Sequence, residues 1–209
     1  TIMSLANSLL KEPHQVKVNP VSSTADTIRQ KIYFVDKPNK IWLLIEIIKE
    51  EQMDAVLVFT RTKHGADKVV RMLEKNKIKS AAIHGNKSQN ARQRALKQFK
   101  DGSITALIAT DIAARGIDID SLKYVVNYEL PNEQESYVHR IGRTGRAGKD
   151  GQAFSFCDID EKAYLKDIQK LIKQEIPVVD DHAFPMTNFT LSPKKQQGGG
   201  RNRPKSVGG

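Results

Sequence analysis

Cysteine is almost missing from this chain: Cys157 stands alone among 209 residues. A single thiol excludes an intramolecular disulfide and a cysteine-based metal site. Its place in the apolar run FSFC reads as that of a small buried hydrophobe. The five histidines show no ligand spacing, so no metal site is expected. No apolar run approaches the roughly 18 residues that span a bilayer, and the first residues do not read as a secretory leader. The expectation is a soluble, cytoplasmic protein with no membrane partner. No internal repeat is visible. A phosphate-cradling GxxxxGK(S/T) loop is also missing. Its nearest approach is Gly148–Lys149, but Asp150 follows and Arg143 stands where the first glycine belongs. The sequence therefore offers no P-loop of its own.

Positive charge is abundant. The net charge is +10 and the isoelectric point about 9.6, which points to a polyanionic partner, nucleic acid before membrane. The excess is uneven: Lys194, Lys195, Arg201, Arg203 and Lys205 supply half of it from a Gly-rich tail without acidic residues. Such a tail reads as flexible and basic. The length suits one domain with appendages, burying about 70% of the surface of the unfolded chain. A start at Thr1 rather than Met leads to the expectation of a piece of something longer.

Short apolar runs alternate with helical patterns. Strands are predicted at Gln30–Val35, Ala55–Phe59, Ala81–Ile83, Ala106–Ala109, Tyr124–Tyr128 and Ala153–Phe156. The runs beginning at 55, 106 and 124 are nearly continuous, as in strands covered on both faces. A helix opened by Pro38 would turn Ile41, Leu44, Ile45 and Ile48 inward. Thr62 would cap a second, carrying Ala66, Val69, Val70 and Leu73. Ser88 would cap a third, carrying Ala91, Ala95 and Phe99, with Gly102 past its end. A last helix from about Glu161 presents Leu165, Ile168, Leu171 and Ile172. The alternation predicts an α/β fold, a mostly parallel sheet with helices on both faces.

In such a sheet ligands bind outside the carboxyl ends of the strands, and the polar clusters fall there. Thr60, Arg61 and Thr62 follow VLVF; His84 and Gly85 follow AAI; Thr110 and Asp111 follow ALIA. Gln89 and Arg92 in SQNAR share one helix face, beside the free N–H groups of a helix start that favour phosphate. They could hold a sugar–phosphate chain without reading bases. In ATDIAARGID (109–118), Thr110 suits a phosphate and Asp118 the hydroxyls of a ribose, whereas Asp111 would serve equally as an N-cap. The densest pattern is YVHRIGRTGRAG (137–148). It places Arg140, Arg143 and Arg146 three apart, interleaved with Gly142, Gly145 and Gly148. Guanidinium forks suit phosphate, the glycines permit tight turns, and an uninterrupted helix is not expected across them.

These clusters resemble, in order and spacing, the second RecA-like domain of the DEAD-box RNA helicases. VFTRT (58–62) resembles motif IV, Gln89 and Arg92 fit the QxxR of motif IVa, ATDIAARGID resembles motif V and HRIGRTGR motif VI. VNYELP (126–131) also fits the family's pattern. FTRTKHGADKV and IHGNKSQNAR resemble the bacterial RhlE branch. The resemblance implies a three-layer RecA-like fold. It implies that residues 1–24 are the end of a first RecA-like domain and a linker, 25–184 the second domain, and 185–209 a basic tail. Arg143 and Arg146 would be arginine fingers for ATP, and Asp118, Gly116 and Arg115 would lie against the nucleotide. Arg115, His139 and Arg140 would couple the two domains. Arg61, Gly85, Gln89, Arg92 and Thr110 would hold the RNA backbone, single-stranded or duplex, without reading its sequence.

No Asp-Glu-Ala-Asp run is present to hold Mg²⁺, so the metal and the P-loop would belong to the N-terminal RecA-like domain. An arginine finger accelerates only a nucleotide already held, so the chain alone would have little or no ATPase activity. Two other readings stand beside this one. GRTG and GRAG both fit the GxxG loop of KH domains, although that loop belongs in a smaller fold. A regulatory domain that kept the fold and lost catalysis is the other.

Overall fold

The structure is a computed structural model and describes residues 28–115, 117–119, 121–145 and 150–193. The elements in chain order are β1 (Ile28–Phe34), α1 (Lys40–Glu50), β2 (Val56–Phe59), α2 (Lys63–Lys75), β3 (Ser80–Ile83), α3 (Gln89–Lys100) and β4 (Ala106–Ala109). There follow α4 (Asp111–Ala114), β5 (Tyr124–Asn127), α5 (Gln134–Ile141), β6 (Gly151–Cys157), a 3₁₀ turn at Ile159–Glu161 and α6 (Lys162–Ile172). The six strands form one sheet in the order β1-β6-β5-β2-β4-β3, and every pairing is parallel. This is the parallel α/β sheet that the alternation of elements predicts, and the RecA-like fold that the resemblance implies.

Covered strands need apolar side chains on both faces, and β2, β4 and β5 are buried at every position. Val56, Val58, Ala106, Ile108, Tyr124, Val126, Phe154 and Phe156 pack on one face beneath α1 and α2. On the other face Leu57, Phe59, Ile83, Leu107, Ala109 and Val125 meet Ala95 and Phe99 of α3. Beside them, Ile28, Ile32, Ala153 and Cys157 meet α5 and α6. Each fully buried Leu or Ile in such a core contributes about 1.5–3 kcal/mol. Burial pushes the Cys157 thiol up to about 12, with the nearby Glu161 carboxylate adding to the shift. The buried small hydrophobe expected at that position is found there.

Local signals set the helix starts. Thr62 Oγ1 accepts from the Gly65 amide at 3.0 Å and Ser88 Oγ from the Ala91 amide at 3.3 Å, so both expected caps form. Gly102 turns the chain with φ +75°, a conformation open to glycine without penalty. Pro38 does not open α1: it lies in the turn before the helix, which starts at Lys40. The arginine–glycine run does not continue as helix: α5 ends after Ile141, at Gly142, the first of its glycines, as expected.

After α6 the chain crosses to the free edge of β1. Ile32 donates to the Pro177 carbonyl at 2.9 Å and accepts from the Val179 amide at 2.9 Å, a short parallel bridge that covers an otherwise open edge. Residues 185–193, assigned from the sequence to the tail, are hydrogen-bonded to the domain. Met186 donates to Phe34 O, Thr187 and Asn188 to the Asp36 carboxylate, and Ser192 to Asp160. The helix and strand expected before residue 19, the linker to residue 26 and the basic residues from Lys194 lie outside the described residues.

Candidate functional site

β2 leads to β3 on one side of the sheet and its neighbour β5 leads to β6 on the other, so the switch point lies between β2 and β5. A crevice opens there at the carboxyl ends of the strands, where open α/β sheets bind ligands. It has a volume of about 470 Å³. Arg61 after β2, Thr110 and Arg115 around α4, and Asn132 and Ser136 after β5 line it. Two residues that the sequence assigns to phosphate, Arg61 and Thr110, thus share one cleft.

Arg140 forms the floor beside this cleft. It projects from α5, is 1% exposed, and its whole fork is engaged. Nε and Nη2 donate to the two oxygens of Asp111 at 2.6 and 2.8 Å. Nη1 donates to the Glu129 carbonyl at 2.6 Å and to Asn127 Oδ1 at 3.2 Å, and the guanidinium lies over the Phe59 ring at 5.1 Å. Asn127 is held in turn by donating to Ser155 Oγ at 3.1 Å. A bidentate pair of this kind fixes direction as well as charge. Asp111 is therefore not an N-cap. It is the first residue of α4, and its carboxylate is taken by Arg140.

Arg61 stands between two carboxylates. Its amide donates to Glu129 Oε2 at 2.7 Å and its Nη1 to Asn132 Oδ1 at 3.1 Å. Nη2 lies 3.3 Å from Glu161 Oε1 and 3.9 Å from Glu129 Oε1, and the guanidinium lies over the Tyr164 ring at 5.6 Å. Glu161 is itself fully buried, paired through Oε2 with Lys40 and accepting from the Asp158 amide at 3.2 Å. Lys40 also pairs with Asp158 at 3.0 Å. Burial pushes the Glu161 carboxyl above its ordinary range, against the pull of Lys40.

The other candidates lie along the same rim. Gly85 is exposed, and a Cβ there would meet nothing within 4 Å. Gln89 and Arg92 share a face of α3, with Arg92 Nη1 3.5 Å from Gln89 Oε1 and Nη2 donating to the Ala113 carbonyl at 3.4 Å. That bond ties α3 to α4 beside the cleft, and the buried Arg92 Nε has no hydrogen-bond partner. Behind the cleft a small crevice is bordered by Arg115, His139, Arg140 and Arg143. Arg143 Nη1 donates to the Ile117 carbonyl at 3.3 Å, one residue before Asp118. The Asp118 side chain is 93% exposed and pairs with Lys100 at 3.1 Å. Gly145 takes φ +69°, and a Cβ on Gly151 would run into its backbone, so these two glycines permit a close chain approach. Gly116 and Arg146 lie outside the described residues.

Sequence reasoning missed Lys40, Glu129, Asn132, Asp158 and Glu161, which fix the arginines. One signal was available: Asp158 and Glu161 have the spacing of a capping box, and both of its hydrogen bonds form. No helix among the described residues is long and apolar enough to cross a membrane.

A six-stranded, all-parallel sheet with helices on both faces defines a RecA-like α/β domain. Residues 39–148 match the model of the helicase conserved C-terminal domain. The chain is 38% identical over 211 residues to DEAD-box ATP-dependent RNA helicase 30 of Arabidopsis thaliana, covering 99% of this chain and 36% of that protein. The E. coli DEAD-box protein SrmB, solved bound to regulator of ribonuclease activity A, superposes with a TM-score of 0.73. Its identity is 32%, over 79% of this chain and 98% of that chain. S. cerevisiae Dbp5 bound to RNA and ADP BeF3 gives a TM-score of 0.72 at 28% identity, over 86% of this chain and 49% of that one. The chain belongs to the helicase conserved C-terminal domain family, as a C-terminal helicase domain of the DEAD-box RNA helicases. It spans about a third of the length of the Arabidopsis relative.

Proposed function

We propose that this domain is half of an ATP-dependent RNA helicase, the half that completes the ATP site of an N-terminal RecA-like domain and holds one side of the RNA. The observation that carries the reading is the convergence of Arg61, Thr110 and Arg115 on one cleft, with Arg143 beside Arg115 behind it. Guanidinium groups without a P-loop suit a phosphate presented by another domain.

The side-chain chemistry fits a nucleoside triphosphate. Arg143 and Arg146 would supply positive charge to the γ-phosphate, Asp118 would accept from the ribose hydroxyls, and Gly116 and Arg115 would complete that edge. Mg²⁺ would be held by the N-terminal domain and would neutralise phosphate charge. Arg61, Gly85, Gln89, Arg92 and Thr110 would take the RNA backbone, and the shared helix face of Gln89 and Arg92 beside the cleft supports that assignment. Contact with phosphate and sugar alone would make binding independent of sequence. His139 is exposed and would meet the other domain directly. Arg140 is enclosed, so its part in coupling would pass through Asp111.

The proposed organisation assigns residues 1–24 to the end of the first RecA-like domain and the linker, and 25–184 to this domain. From residue 185 the chain is a basic tail whose first residues are strapped to the domain. The test is RNA-stimulated ATP turnover by the chain alone and by the chain joined to a P-loop-bearing N-terminal domain. Turnover in the joined form only is expected. Equal turnover by the chain alone, or RNA binding without turnover in the joined form, would contradict the reading.

A further inference from the structure

We propose that Glu161 is a positioning residue for RNA: it holds the Arg61 guanidinium in the cleft, and Lys40 and Asp158 hold Glu161. The inference rests on the reading of Arg61 as a phosphate contact and adds the device that aims it.

Glu129 and Glu161 divide the work on Arg61. Glu129 takes the backbone amide at 2.7 Å and its other oxygen is 3.9 Å from the side chain, so it fixes where the residue starts. Glu161 lies 3.3 Å from Nη2 and fixes where the side chain ends. Asn132 and the Tyr164 ring confine the remaining directions. An unconstrained arginine would lose rotamer freedom on meeting a phosphate. Here that ordering is already done within the domain.

The charges explain why Glu161 serves Arg61 and not Lys40 alone. Asp158 and Glu161 bring two negative charges into a buried space, and Lys40 brings one positive charge. Arg61 supplies the second, on the side that opens to the cleft. Glu161 Oε2 is used by Lys40 and the Asp158 amide. Oε1 is buried, accepts no hydrogen bond of good geometry, and faces Arg61. It is thus an unsatisfied acceptor aimed at the one residue of the group that reaches the cleft. Burial holds the Glu161 carboxyl above its ordinary range, the effect of enclosure outweighing the pull of Lys40 and Arg61. The connection also runs outward, because Lys40 begins α1 and Tyr164 belongs to α6. Two helices from opposite faces of the sheet therefore bear on one cleft arginine.

The experiment uses the joined two-domain protein and a single-stranded RNA probe, measuring affinity across a salt series for Arg61→Ala, Glu161→Gln and the double variant. Glu161→Gln keeps the shape and removes the charge. Both single variants are expected to weaken RNA about tenfold, the loss of one charge-assisted contact. Both should flatten the salt slope by about 0.7, and the double variant should be no weaker than Arg61→Ala. A folded Glu161→Gln protein with unchanged affinity and slope, while Arg61→Ala loses both, would overturn the positioning role. No loss in Arg61→Ala would instead remove the reading of Arg61 beneath it. If Glu161→Gln does not fold, Arg61→Lys decides. A lysine keeps the charge but cannot bridge Glu161, Asn132 and a phosphate together, so the same tenfold loss is expected, and full affinity would overturn the proposal.

Discussion

A buried guanidinium needs partners, and Arg140 donates four hydrogen bonds: to two oxygens of Asp111, to Asn127 Oδ1 and to one backbone carbonyl. Removing one partner of a buried pair costs about 3–5 kcal/mol, because the other is left uncompensated. Asp111 is 28% exposed and recovers some hydration, so Arg140→Ala is expected to lower unfolding stability by about 3 kcal/mol. Arg140→Lys should restore only part of that, since an ammonium cannot meet Asp111 and Glu129 with the same geometry. Urea unfolding midpoints measure both, and a loss below about 1 kcal/mol for Arg140→Ala would contradict the role. The three-residue spacing by itself does not separate Arg140 from Arg143 and Arg146. The difference between Arg140 and Arg143 arises from a helix that turns Arg140 under β2 and leaves Arg143 at the rim. That distinction depends on Asp111, Asn127 and Glu129, between 11 and 29 residues away.

Elements with a local signal were legible in the sequence. Near-continuous apolar runs gave the buried strands, and Thr62 and Ser88 gave two helix starts through hydrogen bonds that span three residues. The strap formed by residues 176–193 had no such signal. It has no periodicity, and its contacts with Asp36 cross about 150 positions. The Thr187 hydroxyl, with the Thr187 and Asn188 amides, holds the Asp36 carboxyl below its ordinary range. A carboxyl lowered on folding stabilises the folded contact above its unfolded value, near pH 4, and loses that contribution as pH falls through the lowered value. The Thr187 and Asn188 amide resonances are therefore expected to shift together in one titration below about pH 4, and Asp36→Asn should abolish it. Amides that do not move over that range would show that the carboxylate does not hold the strap.

At the scale of the whole molecule, the cleft is a product of strand order. The passage from β4 across β2 to β5 brings the loops after three strands together, and with them Arg61, Thr110, Arg115 and Asn132. The alternation of elements announces a parallel sheet, and the motifs announce which loops carry polar residues. The order of strands requires the long-range pairings, and so do the acidic partners that restrain the cleft arginines. The central claim is that this domain contributes arginines to a nucleotide held elsewhere. Single-turnover and steady-state ATP hydrolysis by the joined two-domain protein, saturated with RNA, tests it with Arg143→Ala and Arg146→Ala. Loss of an arginine finger is predicted to lower kcat by about 10³- to 10⁵-fold while RNA affinity is retained. Undiminished kcat in both variants would contradict the account.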